Sequence, residues 1–241
     1  MIACFDAGNS RLKWGLADKE GWQAQGALEW SHLETLRDIV LDWLLLDQIF
    51  LVSVTRPEVE MALAAALSTL LPGVPLARIL SCASACGVTN GYRDVEQLGA
   101  DRWCALLGAR ALESRPCLVV NAGTATTIDS LDAQGYFMGG MILPGVNMMK
   151  SVLSYGTAQL PRVDAHLHAE FPQETRTAIA TGCLEAQAGA IERAFARLPD
   201  AACCVLSGGA APLIEPFLRI PVRSTPYLVL EGLRRLALET P

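Results

Sequence analysis

No G-x-x-x-x-G-K-[ST] run occurs in the 241 residues, which excludes a P-loop kinase. No G-x-G-x-x-G follows the first apolar run, against a dinucleotide oxidoreductase, and there is no G-x-S-x-G elbow. The eight cysteines (Cys4, Cys82, Cys86, Cys104, Cys117, Cys183, Cys203, Cys204) form no C-x-x-C pair. Most lie in apolar runs such as Cys117-Leu-Val-Val, where a reduced thiol packs as a small hydrophobe, and a chain this long needs no disulfide framework. Cys82 and Cys86, four apart, could share a helix face, but no second pair completes a zinc site. Of the three histidines, His32, His166 and His168, the last two could grip a metal on a strand edge, yet no third ligand is near, so that pair reads as surface residues.

A cationic stripe is missing too. Net charge is −6, with both signs scattered, which argues against nucleic acid or an anionic membrane as partner. No basic lead-in precedes Asp6, so no signal peptide is expected. The longest uncharged stretch, Met61 to Ala77, is broken by Ser68, Pro72, Gly73 and Pro75 and reads as a core helix and loop, not a span. A cytoplasmic protein is expected.

What is present is a device used twice. Asp6-Ala7-Gly8-Asn9-Ser10 and Asn121-Ala-Gly-Thr-Ala-Thr-Thr127 each follow an apolar run, turn through glycine and return into a strand-like stretch. Such hairpin turns expose backbone N–H groups and hydroxyls, which suit a phosphate chain. Two of them suggest two similar half-domains closing on one nucleotide. With Ser207-Gly208-Gly209 added, the set points to phosphoryl transfer.

The rest of the chain alternates strands and helices. Ile2 to Leu28 reads as a small sheet, His32 to Leu45 as a helix, Ile49 to Val54 as a buried strand, and Arg56-Pro57-Glu58 as a helix start. Ala77–Leu80 is a short strand, Gly87–Arg93 a loop, and Gly99–Leu112 a helix. Glu113-Ser-Arg-Pro116 is the expected boundary, giving domains 1–114 and 115–241. Beyond it, Gly139–Gly145 is Gly-rich, Val146–Leu153 helical, Val163–Pro172 a polar loop, Thr175–Leu198 a long helix, and Leu228–Leu238 a closing helix. The class is α/β with mixed sheets.

At these residues the chain resembles the type III pantothenate kinases, of the actin-like superfamily that includes acetate and sugar kinases. The matching motifs, in family order, are Asp6-Ala-Gly-Asn-Ser-Arg-Leu-Lys13-Trp-Gly, Val52-Ser-Val-Thr-Arg-Pro57, Gly99-Ala-Asp-Arg102, Asn121–Thr127, Gly139-Gly-Met-Ile-Leu-Pro-Gly145 and Ser207-Gly-Gly209. The resemblance implies two actin-like, ribonuclease H-like halves with a nucleotide cleft. It implies ATP-dependent phosphorylation of the 4′-hydroxyl of pantothenate, the entry step to coenzyme A, by a homodimer whose substrate pocket lies near the subunit interface.

It also implies roles. Asp6, Ala7, Gly8, Asn9, Ser10, Arg11, Leu12 and Lys13 form the nucleotide segment, with Asp6 toward Mg²⁺ through water and Lys13 as a positive charge. Thr124 maps onto a nucleotide-contacting hydroxyl, and Tyr92, Gly99, Ala100, Asp101, Arg102 and Thr175 onto substrate positions. Asp101 maps onto the general base. Read without the family, Asp6 is a turn former, Asp101 a helix cap and Thr175 an N-cap. Asn121 departs from the pattern, because many relatives carry Asp there to hold K⁺ or NH₄⁺; weak dependence on a monovalent cation is therefore expected. Two rivals stay open: another small-molecule kinase of the superfamily, and a non-catalytic regulatory accessory factor.

Overall fold

The computed structural model describes residues 1–43, 45–164 and 167–239. The chain divides into two compact units, residues 1–112 with 227–241, and residues 113–226.

The first unit is built on Ile2–Ala7 (β1), Arg11–Ala17 (β2) and Trp22–Glu29 (β3), followed by Leu36–Val40 (α1), Gln48–Ser53 (β4), Pro57–Leu70 (α2) and Leu76–Arg78 (β5). A small hairpin, Ser84–Ala85 (β6) with Val88–Thr89 (β7), precedes Ala100–Leu112 (α3). Its sheet runs β3-β2-β1-β4-β5, the first three antiparallel and the last three parallel. β1 lies in the middle and its residues Ala3 to Ala7 are all buried, which is why its sequence is apolar up to the one carboxylate, Asp6. One face packs Phe5, Leu12, Leu51, Leu63 and Leu67 into a core.

The second unit repeats the plan with Cys117–Ala122 (β8), Ala125–Leu131 (β9), Phe137–Pro144 (β10), Val146–Gly156 (α4), Thr175–Phe195 (α5), Cys203–Ser207 (β11), Ala211–Ile214 (α6) and Val222–Ser224 (β12). Its sheet order, β10-β9-β8-β11-β12, has the same pattern of three antiparallel and then parallel strands. Leu118, Val120, Ile128, Leu184, Ile191 and Leu206 form its core. The polar stretch Val163–Pro172 carries no helix or strand among its described residues, as expected of a loop. No described helix is long and apolar enough to cross a membrane.

Four expectations change. The last helix, Leu228–Glu239 (α7), belongs to the first unit and not to a domain 115–241. It packs on α3 at two glycines: a Cβ on Gly232 would stand 1.8 Å from the Cys104 carbonyl oxygen, and one on Gly108 2.5 Å from that of Leu228. The helix expected over His32–Leu45 is a 3₁₀ stretch, Trp30–Thr35, kinked at His32, followed by the short α1. Trp43 instead turns inward against Phe5 and Trp14, at ring distances of 6.0 and 5.8 Å, and Leu44 lies outside the described residues. Cys82 and Cys86 share no helix face: Cys86 (φ 47°) and Gly87 (φ 72°) are consecutive left-handed residues, which make the β6–β7 turn. The loop expected from Gly87 thus begins inside a hairpin. The eight cysteines are free.

Candidate active site

The Asp6 carboxylate emerges where β1 ends, 2 % exposed. Strand register sets Lys13 directly across from it on β2, and Lys13 Nζ donates to Asp6 Oδ2 at 2.8 Å. Residues directly opposed across an antiparallel ladder lie within side-chain reach of each other. The turn between them is tied by the Gly8 N–H to the Arg11 carbonyl, 3.1 Å, and by Trp30 Nε1 to the Gly8 carbonyl, 2.9 Å. Ala7 and Leu12 are buried and anchor its ends, while Asn9, Ser10 and Arg11 are exposed at its tip. The implied nucleotide segment therefore has a buried base and a polar, accessible crest.

Asp101 sits in the first turn of α3, half-buried, its Oδ1 accepting the Arg102 N–H at 2.8 Å. A cap-like bond is thus made, but from inside the helix. A Cβ on Gly99 would lie 2.8 Å from Asp101 Oδ1, so the glycine leaves that carboxylate its room. Burial, and next the Asp6 charge, push the Asp101 carboxyl above the usual carboxylate range, against the pull of the Arg102 N–H and of the Arg102 and Lys13 cations. Ala100 is buried beside it. Arg102 is 4 % exposed; its Nη1 donates to the Tyr92 hydroxyl at 2.7 Å and its guanidinium lies 5.4 Å from the centre of the Tyr92 ring. Residues from β1, β2, the loop before α3 and α3 itself are so gathered into one group, two carboxylates with two cations and a phenol.

In the second unit, Asn121 is half-buried near the end of β8, in register with Thr127 and Ser207. The following turn is closed by the Gly123 N–H to the Ala125 carbonyl, 3.1 Å, and leaves Thr124 exposed. Two distant motifs converge on it. The Gly145 N–H donates to the Thr124 carbonyl at 3.0 Å, and a Cβ on Gly145 would meet the Gly123 oxygen at 2.3 Å. Gly208, at φ 100°, would carry a Cβ 2.3 Å from the Ala122 oxygen. Close approach explains both glycines, the second also by its left-handed backbone. Thr175 is the first residue of α5 and exposed; the N-cap position belongs to Glu174, so the cap reading of Thr175 is corrected.

Other candidates fall away. His168 pairs with Glu185 at 3.5 Å and lies tilted against the Phe217 ring, and His166 lies outside the described residues. Among the described residues no three His, Cys, Asp or Glu side chains could hold a metal together. Two participants escaped the sequence reading: Trp30, which fixes the first turn, and Asn90, which braces the Tyr92 loop. The sequence marked that stretch, Gly87–Arg93, only as a loop.

Two mixed five-stranded sheets of one topology, each carrying a glycine turn at the end of its central strand, define a protein of the actin-like ATPase and sugar-kinase fold. Solved structures agree: a putative 2-dehydro-3-deoxygalactonokinase from Sinorhizobium meliloti is similar at TM-score 0.60 with 16% identity, covering 100% of both chains, and a Campylobacter jejuni protein titled a putative Baf family transcriptional activator at TM-score 0.66 with 20% identity, covering 99% of this chain and 98% of its own. At these identities the likeness shows the fold alone. The chain belongs to the type III pantothenate kinase family, whose pattern it matches over residues 2–197. The type III pantothenate kinase of Dechloromonas aromatica is 46% identical over the full length of both chains. That of Aromatoleum aromaticum is 48% identical over 99% of this chain and 98% of its own. The family is one of kinases and implies ATP as phosphoryl donor.

Proposed function

We propose that this chain transfers the γ-phosphoryl group of ATP to the 4′-hydroxyl of pantothenate, the first step toward coenzyme A. The observation that carries the reading, beside family membership, is the grouping of Asp101, Asp6, Lys13, Arg102 and Tyr92 in the first unit. Phosphoryl transfer asks a protein to cradle phosphates, neutralise charge and aim a nucleophile. The crest of the Gly8 turn, with Asn9 and Ser10, suits the first task, and Lys13 the second; the exposed Thr124 hydroxyl is a second nucleotide contact.

Asp101 is the base that takes the proton from the attacking hydroxyl. A carboxyl raised above its ordinary range is a better proton acceptor near neutral pH. Arg102 and Tyr92, already joined, present a cation and a phenol to pantothenate, whose own carboxylate is their natural partner. Gly99, Ala100 and Thr175 complete the substrate set. The donor set also fits Mg²⁺: this ion keeps its waters and needs only one or two carboxylates beside the phosphates, and Asp6 is one whose second oxygen is not the Lys13 partner. Bound there, the ion would neutralise phosphate charge. Asn121 offers a neutral amide oxygen, so K⁺ or NH₄⁺ is held weakly here. Homodimerisation is supported by the apolar side chains left exposed on β10 and α4, Ile142, Val152 and Tyr155. A reaction consuming ATP argues for the cytoplasm.

The test is ADP release by the purified protein with ATP and Mg²⁺ across an acceptor panel. Pantothenate, and beside it only pantetheine, should stimulate release strongly. Equal turnover of acetate, glycerol or sugars without pantothenate turnover would overturn the substrate assignment.

A further inference from the structure

We propose that Asn90 is a positioning residue for pantothenate, acting through Tyr92 and Arg102; the inference rests on the substrate reading above. Asn90 is 7 % exposed, a buried amide in a loop that otherwise faces solvent at Cys82, Arg93 and Asp94. Its Nδ2 donates to the carbonyls of Cys82 at 3.3 Å and Val95 at 3.2 Å, and its Oδ1 accepts the Tyr92 N–H at 3.0 Å. Its own N–H donates to the Ala83 carbonyl at 2.9 Å. Two acceptors on one side and a donor on the other fix which end of the amide is which.

These bonds tie together both flanks of the loop. Cys82 and Ala83 precede the β6–β7 hairpin, and Val95 begins the turn leading to Gly99 and α3; Ser81 Oγ, at 2.7 Å, shares the Val95 carbonyl. Tyr92 hangs between them with its backbone held by Asn90 and its hydroxyl held by Arg102. A side chain gripped at both ends has one orientation. Remove the amide, and the phenol and the guanidinium lose a shared reference while Asp6, Lys13 and Asp101 keep theirs. Only a side chain of this length, carrying donor and acceptor together, satisfies all three partners. Aspartate would set a carboxylate oxygen against two carbonyls, and alanine would leave those buried groups unpaired.

The test compares wild type, Asn90→Ala, Asn90→Ser, Tyr92→Phe and the double variant Asn90→Ala/Tyr92→Phe in steady-state kinetics with each substrate varied, with thermal melting of each. A misplaced binding group of this kind raises KM for pantothenate by about 10- to 100-fold. KM for ATP should change less than about twofold, because the nucleotide turn shares no bond with Asn90. Coupling is the sharper readout: in the Tyr92→Phe background, Asn90→Ala should add much less than it costs alone. Additive losses, or KM rising equally for both substrates, would overturn the proposal. If Asn90→Ala fails to fold, Asn90→Ser carries the comparison, and a wild-type KM in that folded variant would equally overturn it. A wild type inert toward pantothenate would instead sink the substrate assignment.

Discussion

Asp101 carries two opposing demands at one atom pair. Its carboxyl is raised by burial and by Asp6, so its ionised form is disfavoured in the fold relative to the unfolded chain. A group raised in this way contributes stability only at low pH, below its unfolded value, and that contribution is lost as pH rises through the folded value. The ionised form, which acts as the base, is therefore held at a cost to stability. Asp101→Asn keeps the bond to the Arg102 N–H and removes the charge. It should raise the melting temperature at pH 7 while lowering kcat on the order of 10²–10⁴-fold, with ATP affinity little changed. Differential scanning fluorimetry beside initial rates checks both, and a variant with near-normal kcat would leave Asp101 only its helix bond. Removing Lys13 should have the opposite effect on stability, through its ion pair with Asp6. Lys13→Met strands the buried Asp6 charge, and should cost about 1–3 kcal/mol of stability as well as ATP affinity, since the pair is partly solvent-screened on the lysine side. Adding Asp6→Asn should restore part of the melting temperature but no activity. At Asn121 the prediction concerns charge: initial rates in a Tris or Na⁺ background should depend weakly on K⁺, and Asn121→Asp should increase that dependence. A wild type inactive without K⁺ would mean that the amide oxygen coordinates the ion after all.

At the scale of elements, α3 is held by what it packs on. The carbonyl of Cys104 leaves no room for a side chain at position 232, so Gly232→Ala must push α7 away from α3 and should destabilise the first unit by about 3 kcal/mol or more. Asp101 and Arg102 ride on α3, so pantothenate KM should rise with it; chemical denaturation and kinetics on one preparation check this, and an unchanged midpoint would contradict the packing account. Elements were read from the sequence where local pattern and tertiary packing agree. β1, β4, α2 and α3 follow from apolar runs and a first-turn proline within a residue or two. The segment after Trp30 did not, because its apolar spacing is helical while Trp43 is claimed by Phe5 and Trp14. Propensity lost to packing there. The β6–β7 hairpin was hidden because its turn begins with Cys86, a residue type that announces no left-handed backbone.

Across the whole molecule, the doubled turn motif was the most legible feature, and the doubled sheet order is its structural counterpart. What sequence could not give was the return of residues 227–241 to the first unit, which depends on glycines meeting carbonyls more than a hundred residues away in the chain. Nor could spacing predict that Asn90 supports Tyr92, since side-chain hydrogen bonds inside a loop leave no periodic trace. The site itself divides in the same way. Asp6 was readable at a hairpin turn, Lys13 on its return strand and Asp101 as a first-turn acid, but the Asp6–Lys13 pair and the grouping of all three required the fold. The central claim is that the phosphoryl group goes to an alcohol of pantothenate and not to its carboxylate. Proton-coupled ³¹P NMR of the product mixture tests this most directly. A phosphomonoester resonance split into a triplet by the adjacent methylene protons, growing with ADP, is the predicted result. An unsplit acyl phosphate resonance, or ADP with no new pantothenate-linked phosphorus signal, would contradict it.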